Sequence, residues 1–327
     1  MTRLLEQVDL HGKRKASGLL CAAALVFTAA CAGTNQPSSS PQVPPAQPRA
    51  MVEVKPKVAV VLGGGGARGF AHVGVLRELE QEKVPINLVV GTSVGSMIGA
   101  LYADTGSVLD LEYTALTIRK EDLFDYQPLA VFSGGFIKGE ALEQFLNAKL
   151  RHQSIESFKV PFAAVAVDLR TGETVVFDHG PAAPAIHASC AIPGAFVPVR
   201  YDGRTLVDGG VTNPIPANVA RKMGAEIVIS VAIPAAVPPE APSNPVSVAY
   251  QSTMIMSAEI GKLREKESDV VISPAVGDVA YDDFGQKKRL IDAGVAAAEK
   301  AMPAIYSIIS SKTRWVPAAE APAPPAK

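Results

Sequence analysis

A serine set between glycines, a glycine run ending beside an arginine, and an aspartate before a glycine pair are the residues here whose types and spacing can do chemistry. Ser93 lies in Gly91-Thr92-Ser93-Val94-Gly95, directly after the mostly apolar run 86–90. Glycines on both sides let the backbone take a strained turn that lifts a hydroxyl clear of a sheet. A helix opening at that point aims its N–H groups at a developing oxyanion. Gly64-Gly65-Gly66-Ala67-Arg68-Gly69 follows another apolar run, Val58–Leu62. Consecutive glycines leave peptide N–H groups unshielded, so this segment reads as an oxyanion cradle to which Arg68 adds a fixed positive charge. A dinucleotide loop fits the same glycines, but it needs an acidic residue at the end of the next strand, where Gly91-Thr92-Ser93 stands instead. A phosphate-binding P-loop needs Gly-Lys-Ser/Thr, which this stretch lacks. A tight turn with Arg68 facing water is the plain alternative.

A serine hydroxyl needs a proton acceptor to attack at neutral pH. Outside the N-terminal leader the histidines are His72, His152, His179 and His187, and nothing after His187 can serve as the late histidine of common α/β hydrolases. His72, one turn into a helical pattern, reads as a packing or capping residue, and His179 and His187, beside proline-containing turns, as surface residues. Asp208 ends the short strand pattern Thr205-Leu206-Val207 and precedes Gly209-Gly210. A carboxylate there can act as the base if its surroundings are dry enough to raise its basicity. Asp-Gly as a mere turn signal is the alternative. Between these sites, Ser189-Cys190-Ala191-Ile192-Pro193-Gly194-Ala195-Phe196-Val197-Pro198 is small, apolar and punctuated by prolines, suited to a wall against an acyl chain or to a core-lining loop.

Strand patterns fall at 58–62, 86–90, 163–168, 174–178, 205–208, 227–233 and 270–274, and helical spacing at 69–82, from 96, and over 110–118, 139–150, 217–222, 246–265 and 284–301. Buried strands alternating with helices predict one α/β domain over 54–315, its sheet covered on both faces. The Pro/Ala segment 234–245 reads as a mobile surface loop.

The balance of 31 Lys+Arg against 32 Asp+Glu leaves a formal charge of −1, which gives no reason to expect nucleic acid, since that demands a basic face. Residues 1–30 read as a signal peptide: Lys13, Arg14 and Lys15 precede an apolar stretch, Ala16–Ala30, too short to span a bilayer comfortably. Cys31 after two alanines resembles the lipidation site of a bacterial lipoprotein, with Thr28 where that signal usually has Leu; a plain secretory cut near Ala30 is the competing outcome. The Ser/Pro/Gln-rich residues up to 53 then form a disordered tether, and 316–327 a disordered tail. With Cys21 removed and Cys31 lipidated, Cys190 stands alone as a buried hydrophobe.

The ordered set of Gly64–Gly69, Gly91–Gly95, Ser189–Pro198 and Asp208-Gly209-Gly210 resembles the patatin-like phospholipase family. The resemblance implies a three-layer α/β/α sandwich around a mixed, mostly parallel central sheet. It implies Ser93 as nucleophile and Asp208 as general base in a dyad without histidine. Gly64, Gly65, Gly66 and Arg68 would form the oxyanion hole, the amides around Gly65 and Gly66 holding the oxyanion and Arg68 steadying the loop or the charge, and Gly69, Gly91, Gly95, Gly209 and Gly210 would support the motifs. No metal or other cofactor is expected. The expected function is a membrane-tethered lipid acyl hydrolase of the cell envelope, or one released into the periplasm; the alternative is a non-catalytic envelope lipoprotein that binds lipid or protein on a hydrolase scaffold.

Overall fold

A computed structural model describes residues 50–234 and 242–320. The expected leader, Cys21, Cys31 and most of the tether lie outside the described residues. The strands are β1 (Met51–Val54), β2 (Val58–Leu62), β3 (Leu88–Thr92), β4 (Phe162–Asp168), β5 (Thr174–Phe177), β6 (Val199–Tyr201), β7 (Arg204–Asp208), β8 (Ile227–Val231), β9 (Val270–Ile272) and β10 (Arg314–Pro317). The helices are α1 (Phe70–Gln81), α2 (Val94–Thr105), α3 (Val108–Thr117), α4 (Glu140–Lys149), α5 (Ala182–Cys190), α6 (Ala217–Lys222), α7 (Pro245–Glu265) and α8 (Lys287–Lys312).

Every residue of β2, β3, β4 and β8 is buried, which is why these strands are apolar without alternation. They pair in parallel, β4 with β3, β3 with β2 and β2 with β8, and β9 extends the parallel set from β8. On β4 the sheet turns mixed, because β5 and β7 both pair with it antiparallel, and β6 forms a hairpin with β7. One sheet face, including Val60, Leu62, Val89 and Ile229, packs in a single core with residues of α1, α2, α5 and α8. The other face, including Ala59, Val61, Val90 and Val165, is covered by Ile215 and by Ala217, Val219 and Ala220 of α6. The result is a three-layer α/β/α arrangement around a mixed, mostly parallel sheet.

Several expectations are corrected. The second strand sits two residues later than its apolar pattern, at Leu88–Thr92, because its pairing with β4 carries it to Thr92 opposite Val165. The last helix does not stop before Pro303 but runs to Lys312 with the proline inside it, held by buried Met302 and Ile305. The tether does not extend to residue 53, nor does the tail start at 316, since β1 and β10 pair from Met51↔Pro317 to Val54↔Arg314. Helix α5 is an element that the pattern did not show: its alanine-rich sequence has no polar stripe to mark a period, because nearly all of it is buried.

Candidate active site

The register on β4 explains how residues far apart in the chain meet. Residues Phe162–Val165 pair with β3, and Ala166–Asp168 pair with β7. On its opposite edge β4 pairs with β5 over Ala164–Val167. Each residue of β4 offers one partner position per edge, so β3 and β7 divide a single edge between them. They run in opposite directions and meet at their C-terminal ends, Thr92 opposite Val165 and Asp208 opposite Ala166. The next residue after β3 is Ser93, and β7 itself ends on Asp208.

Ser93 is the N-cap of α2 with φ 57° and ψ −132°, a backbone conformation that costs a side-chain-bearing residue about 1–3 kcal/mol. The surrounding contacts hold it there. Its N–H donates to Ser189 Oγ at 3.0 Å, and that hydroxyl donates to the Val165 carbonyl at 2.6 Å. The Ser96 hydroxyl donates to the Ser93 carbonyl at 2.7 Å. Gly91 and Gly95 close the elbow: a Cβ on Gly91 would lie 2.4 Å from the Gly95 carbonyl oxygen, and one on Gly95 2.2 Å from that of Leu62. Gly69 packs against Val94, and Gly209 against the Val165 carbonyl and the Thr92 side chain.

The glycine loop turns a 3-10 helix (Gly66–Gly69) into α1. Gly66 has φ +60°, which only glycine adopts cheaply, and its Cα faces the Tyr281 ring. Among the described residues, the amides of Gly65 and Gly66 have no backbone hydrogen-bond acceptor. Gly64 departs from expectation: its N–H donates to the Pro214 carbonyl at 3.2 Å, so it is committed to the scaffold and lies beside Ser93 without a free donor. Arg68 steadies the loop. It is buried, and its guanidinium donates to the carbonyls of Gly65 (3.2 Å) and Pro234 (2.8 Å). It clamps the loop by its carbonyls and so steadies the amides. His72 braces the same loop from below. Its Nε2 hydrogen-bonds the Gly63 carbonyl at 2.8 Å, and burial pushes its pKa down to about 4, so it is neutral at physiological pH.

Ser93, Asp208, Gly64, Gly65, Arg68 and Tyr281 line one cavity of about 340 Å³. Burial pushes the Asp208 carboxyl up to about 6, while the Ser93 hydroxyl and the Gly210 amide, which donates to Oδ1 at 2.7 Å, pull in the opposite direction. A carboxylate held near that value is a competent base close to neutral pH. An apolar slot of about 50 Å³ adjoins on the other side of Ser93, lined by residues such as Met97, Ile98, Phe124, Leu142, Ile192 and Phe196. The Ser189–Pro198 block thus divides its work. Ser189 pins the elbow, and Cys190 and Ile192 with Phe196 form the expected apolar wall.

Cys190 is buried and free, and burial raises its thiol pKa. His187 is buried rather than at the surface, with Nδ1 2.6 Å from Glu143 Oε1 on α4. The residue that sequence reasoning missed altogether is Tyr281. It lies in the β9–α8 connection, where no catalytic motif marks it, and only the return of that loop over Gly66 brings it to Ser93.

Residues 60–221 match the patatin-like phospholipase family. Over 189 residues the chain is 33% identical to an uncharacterized NTE family protein of Mycobacterium tuberculosis, covering 58% of this chain and 52% of that protein. It is 36% identical over 179 residues to the human patatin-like phospholipase domain-containing protein 6, covering 53% of this chain and 13% of the human one. The chain therefore spans about half the length of the mycobacterial relative and a small part of the human one. Among solved structures, VipD from Legionella pneumophila aligns over 82% of this chain and 69% of its own, with TM-score 0.47 and 15% identity. The family match runs from β2 into α6 and holds both Ser93 and Asp208; by it, residues 60–221 of this chain belong to the patatin-like phospholipase family.

Proposed function

We propose that this protein is a serine lipid acyl hydrolase of the phospholipase or lysophospholipase type, working through a Ser93–Asp208 dyad and an acyl-enzyme. The observation that carries the reading is a strained serine at a helix N-terminus, sharing one cavity with a buried carboxylate of raised pKa and with uncommitted glycine amides. Asp208 takes the Ser93 proton as Oγ bonds to the ester carbonyl carbon. The carbonyl oxygen becomes an oxyanion, accepted by the amides of Gly65 and Gly66 at the head of α1. Collapse breaks the ester C–O bond, and the leaving alcohol takes the proton from Asp208. Water then gives a proton to Asp208 and attacks the acyl-enzyme, releasing the carboxylic acid and restoring Ser93. The apolar slot beside Ser93 suits the acyl chain, and the more polar cavity around Arg68 and Asp208 suits the alcohol part. Membrane lipid is the proposed substrate, reached from a lipid anchor on Cys31.

Ser93→Ala is expected to lower hydrolysis of a chromogenic acyl ester by about a thousandfold or more with an unchanged melting curve. A fluorophosphonate probe is expected to label the wild type at Ser93. Folded wild-type protein that takes no label would leave the binding-lipoprotein reading in place of the enzyme. Mass spectrometry of a membrane lipid extract before and after incubation identifies which acyl ester is cleaved.

A further inference from the structure

Tyr281 is the residue that touches every compartment around Ser93 and that the dyad mechanism does not use. It lines the apolar slot, the polar cavity and a larger outer groove of about 1020 Å³. Its main-chain carbonyl accepts the Ala67 N–H at 2.7 Å, so it is fastened to the glycine loop itself. Its ring lies on Gly66 so closely that a Cβ there would sit 2.6 Å from the ring carbons. The segment around it is tied down on both sides, by the Lys120–Asp282 ion pair and by Arg289 donating to the Val276 carbonyl at 3.1 Å. Its side chain shares both the slot and the cavity with Ser93, and burial first, then Asp208, Tyr250 and Cys190, raise its hydroxyl well above the ordinary tyrosine range. It is therefore a permanent donor beside the nucleophile.

We propose that Tyr281 is a positioning residue of the nucleophile: its hydroxyl holds the Ser93 hydroxyl in register for Asp208, while its ring partitions the apolar slot from the polar cavity. The inference rests on the hydrolase reading above. A serine hydroxyl has free rotation about its Cα–Cβ and C–O bonds. At a strained elbow with open space on two sides, one fixed neighbour reduces that freedom before substrate arrives.

The test is Tyr281→Phe, which removes one oxygen and keeps the ring against Gly66 and the main-chain bond to Ala67. Fluorophosphonate labelling of Ser93 and turnover of a short-chain nitrophenyl ester are measured against wild type. The variant is expected to label and turn over about tenfold more slowly with KM within about twofold, the size of one lost hydrogen bond to the reacting group. It is also expected to shift the acid limb of kcat/KM to higher pH, because a Ser93 hydroxyl free to swing away no longer favours the charged carboxylate. A lower folded fraction would scale the rate without moving that limb, so the limb decides even if the variant is less stable. Wild-type labelling, turnover and acid limb in Tyr281→Phe overturn the inference and leave the hydrolase reading intact. A wild-type protein that never labels overturns both.

Discussion

Burial raises the Asp208 carboxyl to about 6, whereas an unfolded chain ionises it in the ordinary carboxylate range. Between those values the folded protein holds a proton that the unfolded chain has released, so stability falls as pH rises through the window and the loss is complete above about 6. Asp208→Asn keeps an acceptor for the Gly210 amide and removes the charge. It is expected to be inactive yet more stable than wild type at pH 8, by up to about 3 kcal/mol. The difference should vanish near pH 3, and denaturant titrations at the two pH values measure it. In wild type the same carboxyl, as the proposed base, is expected to set the acid limb, with kcat/KM falling about tenfold per unit below pH ~6. Ser93 carries a second stability cost in its backbone: at φ 57° and ψ −132°, Ser93→Gly is expected to gain about 1 kcal/mol or more. Ser93→Ala should gain nothing of the kind, and both should lack activity. Matching melting points for the two variants would show that the elbow stores no strain.

Helices α1 and α8 cross at a pair of glycines in close contact. A Cβ on Gly74 would lie 1.9 Å from the Ile291 carbonyl oxygen, and one on Gly294 would lie 2.0 Å from that of Ala71. Neither neighbour is a movable side-chain tip, so a methyl group forces the helices apart. Gly294→Ala is expected to cost about 1–3 kcal/mol, visible as a lower melting temperature. Because α1 begins where the glycine loop ends, the same variant should lose activity at temperatures where it is still folded; full activity with a lowered melting point would uncouple the crossing from the loop. His72, inside α1, gives this region an acid sensitivity. Its pKa is depressed to about 4, so its stabilising contribution is present above the ordinary histidine value and is lost as pH falls through about 4.

Beyond the catalytic layer, the first and last described segments are joined, β1 with β10, in a two-stranded ribbon apart from the main sheet. No described helix is long and apolar enough to cross a membrane. On the proposed reading membrane attachment falls to Cys31, since acyl chains add about 0.8 kcal/mol per buried CH₂ and more than one chain is needed for stable anchoring. Cys31→Ser is expected to move the protein from the detergent-extractable membrane fraction to the soluble fraction. The mass of the mature N-terminal peptide gives an independent check: an unmodified N-terminus near residue 31 would remove the anchor and favour release.

The local chemistry was legible from residue order alone. Val58–Leu62 is a strand because it is apolar, β-rich and bounded by glycine, and Gly91-Thr92-Ser93-Val94-Gly95 is an elbow because only glycines tolerate the backbone packing on both sides of the serine. Such features depend on neighbours within a few residues, and sequence patterns record those well. What the pattern could not hold is the meeting of β3 and β7 on one edge of β4, since register is set by pairings between segments distant in the chain. That meeting puts Asp208 in the cavity with Ser93 and buries it enough to raise its pKa. The same limit explains Gly64, whose amide is taken by Pro214 from another loop, and Tyr281, an ordinary loop tyrosine until tertiary packing lays it over Gly66.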